Sequence, residues 1–243
     1  MMFLGNTEAL AVSSEQLKRM NEMRVLTIAM MSMSSVSGAI VGAYVQMVPG
    51  ELVLTAIPLN IVNAIIVSCL LNPVSVEEKE DIIYSLKNNE VERQPFFSFL
   101  GDSVLAAGKL VLIIIAFVIS FVALADLFDR FINLITGLIA GWIGIKGSFG
   151  LNQILGVFMY PFALLLGLPY DEAWLVAQQM AKKIVTNEFV VMGEISKDIA
   201  SYTPHHRAVI TTFLISFANF STIGMIIGTL KGIVDKKTSD FVS

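Results

Sequence analysis

Cysteine, histidine and charge are what this 243-residue sequence has little of. Its one cysteine, Cys69, sits in an apolar run, which excludes a disulfide framework and a thiolate metal cluster. The only histidines, His205 and His206, are adjacent. Neighbouring side chains on a helix diverge by about 100°, poor spacing for metal ligands, so the pair reads as part of a solvated loop. Charged residues make up 15% of the chain, against about 25% for an ordinary soluble domain. Hydrophobic residues make up 55%, and the mean hydropathy is +0.74. A soluble protein this apolar could not cover its surface with polar groups, whereas a bilayer solvates such an exterior directly. Basic excess is missing too: with net charge −4 and pI near 5.2 there is no patch for nucleic acid. The start, Met1 to Glu8, lacks the basic region and small-residue cleavage site of a signal peptide, and reads as the interior of a protein.

What is present is a series of apolar stretches. A membrane helix needs roughly 20 apolar residues, and the segments 25–48, 52–71, 104–125 and 208–230 have that length. Segment 104–125 is the cleanest, a Leu/Ile/Val/Phe run broken only by Lys109 and Ser120. The run 77–81 is dense in charge and belongs in water. Segment 131–145 is too short to cross and carries Trp142, which predicts an interfacial piece. Segment 151–168 is interrupted at Tyr160-Pro161, which predicts a re-entrant hairpin of two half-length arms. Segment 173–192 is amphipathic and interrupted at Thr186-Asn187-Glu188; 198–207 reads as polar loop, and a charged tail follows Lys231.

Three polar places lie at bilayer depth: Ser34 to Gly38, Thr186 to Glu188, and Phe217 to Thr222. A carboxylate near the midplane costs at least about 2.5–3.5 kcal/mol and normally faces a cavity or pathway, which singles out Glu188. Interrupted helices in separated halves of a chain are the mark of transporters built from inverted repeats, whose broken helices offer free backbone groups to substrate and ion. The serines and glycines of 34–38 read equally as residues that let helices pack closely, and Asn219 as a side chain satisfying a neighbouring backbone. Lys182 and Lys183 mark an aqueous end or pair with a carboxylate.

At these residues the sequence resembles the concentrative nucleoside transporter family. The run Ala181-Lys182-Lys183-Ile184-Val185-Thr186-Asn187-Glu188-Phe189-Val190 is similar to the family signature small-x-Lys-x-x-x-Asn-Glu-Phe-Val, in which Lys183 and Asn187 support the motif. Phe217 to Thr222 is similar to Phe-Ala-Asn-Phe-Ser-Ser/Thr, and Gly5-Asn6-Thr7-Glu8 to Gly-Gln-Ser/Thr-Glu at the tip of a first hairpin, with Asn6 in place of the usual Gln. The resemblance covers almost the whole chain.

It implies an all-α, multi-pass protein of the cell membrane, with re-entrant hairpins, broken helices and inverted repeats, moving within a homotrimer. It implies three units: 1–71, the end of the first hairpin with two membrane helices; 72–147, a charged loop, a scaffold-type helix and the interfacial piece; and 148–243, the second hairpin, the Asn-Glu-Phe-Val break and a last membrane helix with its tail. Asn6, Thr7 and Glu8 would face the nucleobase. Glu188, Phe217, Asn219 and Thr222 would hold the ribose, and Leu4, Ser34, Ser35 and Val36 would offer oxygens to a coupling ion, Na⁺ or H⁺. No cofactor is implied. The activity implied is import of nucleosides by symport with that cation, with no bond made or broken. Against it stand a membrane-embedded binding or gating subunit of related fold, a membrane enzyme lacking any visible nucleophile–base pair or metal cluster, and a truncated, inactive product. The family carries further helices before the first hairpin and one after the tail.

Overall fold

The computed structural model describes residues 4–75, 95–143 and 149–242; the charged run 77–81 lies outside them. They form twelve α-helices, and among the described residues there is no β-strand. In hydrocarbon every backbone polar group must be satisfied within its own segment, which is why apolar stretches of this kind fold as helices.

The first half holds α1 (Asn6–Val12), α2 (Ser14–Leu17), α3 (Glu22–Ser32), α4 (Gly38–Met47) and α5 (Gly50–Leu71). The stretch expected as one span over 25–48 is two half-helices. Residues 33–37 leave the helix, and Ser37 restarts it by accepting a bond from the amide of Ile40. Pro49 turns the chain, and α5 returns along both halves for about 33 Å, the expected 52–71 span. Its end is fixed beside the start of α3, because Asn72 Nδ2 donates to the carbonyl of Met23 at 2.8 Å and to Thr27 Oγ1 at 2.9 Å.

Helix α6 (Phe96–Ile143) joins the expected interfacial piece to the apolar segment before it. It runs unbroken for 48 residues, so 131–143 is the end of a helix that starts far earlier; residues 144 and 145 lie outside the described residues. The charges that look like a boundary are satisfied on it. Arg130 pairs with Asp126 one turn away, and Asp129 Oδ1 accepts the amide of Leu151 at 2.7 Å, capping the next helix. That helix, α7 (Leu151–Leu165), continues through Pro161, so no turn forms at the proline. Its partner is α8 (Tyr170–Val185), reached by a turn in which Gly167 adopts φ +78°, a conformation that suits glycine. Tyr160 meets Trp174 at 5.7 Å, and a Cβ on Gly156 would stand 3.1 Å from Gln178, so the two helices are antiparallel and close.

The re-entrant hairpin lies further on. After α8 the chain leaves the helix at Thr186 and restarts as α9 (Glu188–Ile195). Two collinear helices would set Lys182 and Glu194 about 18 Å apart. They form an ion pair, so α9 folds back along α8 with its tip at 186–187. A 3₁₀ turn (Ile199–Ser201) leads to α10 (Pro204–Ile215), which starts beside Glu172 through Thr203 Oγ1 at 3.0 Å. The polar loop expected over 198–207 is therefore mostly structured. His206 is 2% exposed, stacked on Tyr202 with ring centroids 4.1 Å apart, which overturns the solvated-loop reading for that residue. Residues 216–219 break the helix again before α11 (Phe220–Lys231), and the tail forms α12 (Lys236–Val242), tied to α3 by Lys237 and Glu22 at 2.7 Å.

Two apolar cores result. One gathers Tyr44, Val53, Ile57, Val176, Met192 and Leu214 around α8 and α9; the other gathers Leu10, Leu17, Val25, Ala29, Ile226 and Leu230 between α1, α3 and α11. The outer faces stay apolar: Leu59, Val62, Ile66 and Leu70 of α5 and Leu112, Ile119, Phe131 and Leu138 of α6 are exposed. Polar residues inside and apolar residues outside are the arrangement of a membrane protein.

Candidate functional site

The two broken helices meet at their breaks. The amide of Phe217 donates to the carbonyl of Met33 at 2.9 Å, joining 216–219 to 33–37. The tip of the α8–α9 hairpin arrives at the same place. Each restart of a helix here uses the same device, an N-cap side chain accepting a main-chain amide: Asn187 from Val190 at 3.0 Å, and Asn219 from Thr222 at 2.8 Å.

Glu188 is the first residue of α9 and is 1% exposed. Its carboxylate sits at the positive end of the helix dipole, and each oxygen is claimed by a different element. The Tyr44 hydroxyl, from α4, donates to Oε1 at 3.1 Å, and Asn219 Nδ2 donates to Oε2 at 3.0 Å. Thr222 Oγ1 donates in turn to Asn219 Oδ1 at 3.1 Å, so a relay of Thr222, Asn219 and Glu188 fixes the carboxylate from behind. Phe189 and Phe217 wall this cluster, with ring centroids 5.2 and 6.5 Å from that of Tyr44.

Lys183 supplies the opposing charge. It is 1% exposed, which overturns the aqueous-end reading for this residue. Its ammonium donates to Ser216 Oγ at 2.9 Å, lies 4.8 Å from the centre of the Phe213 ring, and acts electrostatically on Glu188. Lys182, its neighbour, turns outward to Glu194. A buried carboxylate and a buried ammonium each offset part of the other's desolvation.

Of the residues singled out in the sequence, Glu188, Phe217, Asn219, Thr222, Asn187 and Lys183 thus converge. Ser34, Ser35 and Val36 lie in the adjoining break 33–37, where the Ser35 hydroxyl donates to the carbonyl of Ser32 at 2.6 Å and Val36 is fully buried. Asn6, Thr7 and Glu8 open α1, which packs on α3 and α11, the helices that flank the two breaks. Glu8 reaches back to the amide of Gly5, at a place where any Cβ would collide with it, and Asn6 Oδ1 accepts the amide of Thr7 at 2.7 Å. Asn6 Nδ2 is buried without a partner. Among the described residues no hydrogen bond joins 6–8 to Glu188, nor Leu4 to 34–36. Tyr44 and Ser216, which no motif marks, and Phe189, present in the sequence only as part of the Asn-Glu-Phe-Val run, also belong to the cluster. A signal for Tyr44 was there, since a phenol inside an apolar span needs a partner for its hydroxyl.

A family model described as "Na+ dependent nucleoside transporter C-terminus" matches residues 52–243. The purine nucleoside transport protein NupG of Bacillus subtilis is 48% identical over 242 residues, 100% of this chain and 58% of that protein. The sodium/nucleoside cotransporter 1 of Homo sapiens is 27% identical over 257 residues, 99% of this chain and 39% of that protein. Among solved structures, CNTnw in an inward-facing substrate-bound state is similar with a TM-score of 0.79 at 25% identity, over 99% of this chain and 57% of that one. A doubly substituted CNTnw in an outward-facing state gives 0.80 at 26%, again over 99% of this chain and 57% of that one. The chain thus spans between one third and three fifths of the length of these relatives.

Proposed function

We propose, from the premise that this chain belongs to the concentrative nucleoside transporter family, that it is the substrate-handling part of a cation-driven importer of purine nucleosides. The family consists of transporters rather than enzymes. The observation that carries the proposal is the Glu188 carboxylate, buried at a hairpin tip and held by Tyr44 of α4 and Asn219 of the break 216–219. A ribose offers hydroxyl donors, and charge-assisted bonds to a carboxylate are the strong ones. An analogue without those hydroxyls forgoes these charge-assisted bonds, and discrimination rests on that loss.

In this reading Glu188 accepts from the ribose, Asn219 offers its second amide hydrogen, Thr222 orients Asn219, and Phe217 lines the pocket. Asn6, with its unpartnered donor, meets the base together with Thr7 and Glu8. The break 33–37 (Ser34, Ser35 and Val36) and Leu4 supply oxygens to the coupling ion, for which the family description favours Na⁺. One unit charge moved through 100 mV is worth about 2.3 kcal/mol, or roughly fiftyfold accumulation. The purine preference rests on the likeness to NupG. A homotrimer in the cell membrane agrees with the exposed apolar faces of α5 and α6.

Uptake of labelled inosine and uridine tests this, in transport-deficient cells expressing the full product of this gene. Na⁺-dependent inosine accumulation, abolished by Glu188→Gln, is the expected result. Accumulation that survives Glu188→Gln removes that residue from the site, and accumulation driven by a proton gradient without Na⁺ reassigns the ion.

A further inference from the structure

Tyr44 belongs to the cluster through a single atom. Its ring is fully buried on α4 between Phe189 and Phe217, a place that phenylalanine would fill equally well. What phenylalanine could not do is donate to Glu188 Oε1, as the phenol does at 3.1 Å. With Asn219 on Oε2, each carboxylate oxygen has a side-chain donor from the protein itself.

That arrangement has a use at one step of a transport cycle. A carrier that accumulates its substrate returns without it, and the return carries Glu188 with no sugar hydroxyl to pair it. A buried carboxylate left unpaired is costly. The phenol has one hydrogen to give, and with the carboxylate 1% exposed there is no open face at Oε1. A sugar hydroxyl reaching that oxygen takes the place where the phenol now stands.

We propose that Tyr44 is the stand-in for a ribose hydroxyl: it pairs Glu188 during the return of the unloaded carrier and yields Oε1 to the nucleoside. The inference rests on the transporter reading given above. Its consequence is asymmetric, since a group that favours one of two states shifts their balance only by its differential interaction with them. Removing the hydroxyl destabilises the unloaded carrier and spares the loaded one.

The experiment compares net uptake into nucleoside-free vesicles with exchange against internal nucleoside, for the reconstituted protein and for Tyr44→Phe. Exchange never uses the unloaded return. The expected result is a ratio of net uptake to exchange lowered about tenfold, with inosine bound several-fold more tightly. Equal losses of net uptake and exchange, weaker inosine binding, or no change at all each overturn the proposal. Absence of both fluxes in the parent protein overturns instead the transporter reading. A second measurement avoids the variant: 3-fluorotyrosine placed at position 44 of the otherwise native protein should shift its ¹⁹F resonance on saturation with inosine. A resonance that does not move when inosine binds also overturns the proposal.

Discussion

The two breaks that meet at the centre of this protein use their polar residues in opposite ways. In 33–37 the serines bond to nearby backbone, with Ser35 donating to the carbonyl of Ser32 and Ser37 accepting from the amide of Ile40. In 216–219 the Ser216 hydroxyl also donates to a local carbonyl, that of Phe213, but the break is tied across the fold as well: Asn219 donates to Glu188 on α9, and Ser216 accepts from Lys183 on α8. The first break therefore presents carbonyl and hydroxyl oxygens close to the main chain. The second meets, through the Asn219 amide and the Ser216 hydroxyl, the Glu188 carboxylate and the Lys183 ammonium of other helices. Hard, close-set oxygens suit a small cation, and directional donors and acceptors suit a sugar. The division of labour proposed for the two breaks follows from where their side chains point.

The largest test of that contrast is Glu188→Gln. It keeps the shape of the side chain but leaves the Lys183 ammonium buried without its counter-charge. Two bonds to a charged acceptor, each worth about 1.5–3 kcal/mol, become bonds to a neutral amide or are lost, so uptake should fall a hundredfold or more in a flux assay. Asn219→Ala comes next. It removes an N-cap, worth about 0.5–2 kcal/mol, and a bond to a charged group, worth about 1.5–3 kcal/mol. The nucleoside KM at saturating cation should rise ten- to a hundredfold, with the cation half-saturation little changed. Ser35→Ala is the mirror experiment. Loss of one neutral hydroxyl bond, about 1 kcal/mol, should raise the cation half-saturation roughly fivefold and spare the nucleoside KM at saturating cation. Saturation matters in both cases, because coupled sites shift one another's affinities reciprocally. Should Ser35→Ala act on nucleoside and Asn219→Ala on cation, the two breaks do not divide the work as proposed.

Much of this was legible in the sequence, for reasons particular residues make clear. Segment 52–71 is apolar and long, and it is the α5 span. Asn187-Glu188 and Asn219 stood out because polar groups at bilayer depth need a reason, and the structure brings them together. What hydropathy could not tell was whether the chain carries on past a break or doubles back. The reversal at 186–187 is visible only in the long-range pair of Lys182 and Glu194. Pro161 misled in the other direction, because α7 absorbs it and turns only at Gly167. Segments 104–125 and 131–145 read as two separate pieces on either side of the charges at 126–130. Those charges are satisfied along α6 and by the amide of Leu151, so the helix runs on. Tyr44 was missed because a lone tyrosine in an apolar run announces a partner without naming it.

Adjacent lysines give the smallest effect and the sharpest control. Lys183 and Lys182 share a helix turn, yet one is 1% exposed beneath Phe213, while the other holds Glu194 on the flank of the hairpin. The side chains of Lys182 and Glu194 are 29% and 54% exposed, so water and salt screen their pair. Exposed pairs are worth about 0.2–1 kcal/mol, too little to decide whether the hairpin folds back. The fold-back is held instead by apolar burial, with Val191, Met192 and Ile195 of α9 in the core that also contains Val176 and Met180 of α8. Glu194→Gln should therefore leave nucleoside KM and maximal uptake within about twofold of the parent. A loss approaching that of Glu188→Gln would mean that the ion pair, and not the apolar core, keeps the hairpin closed and the carboxylate in place.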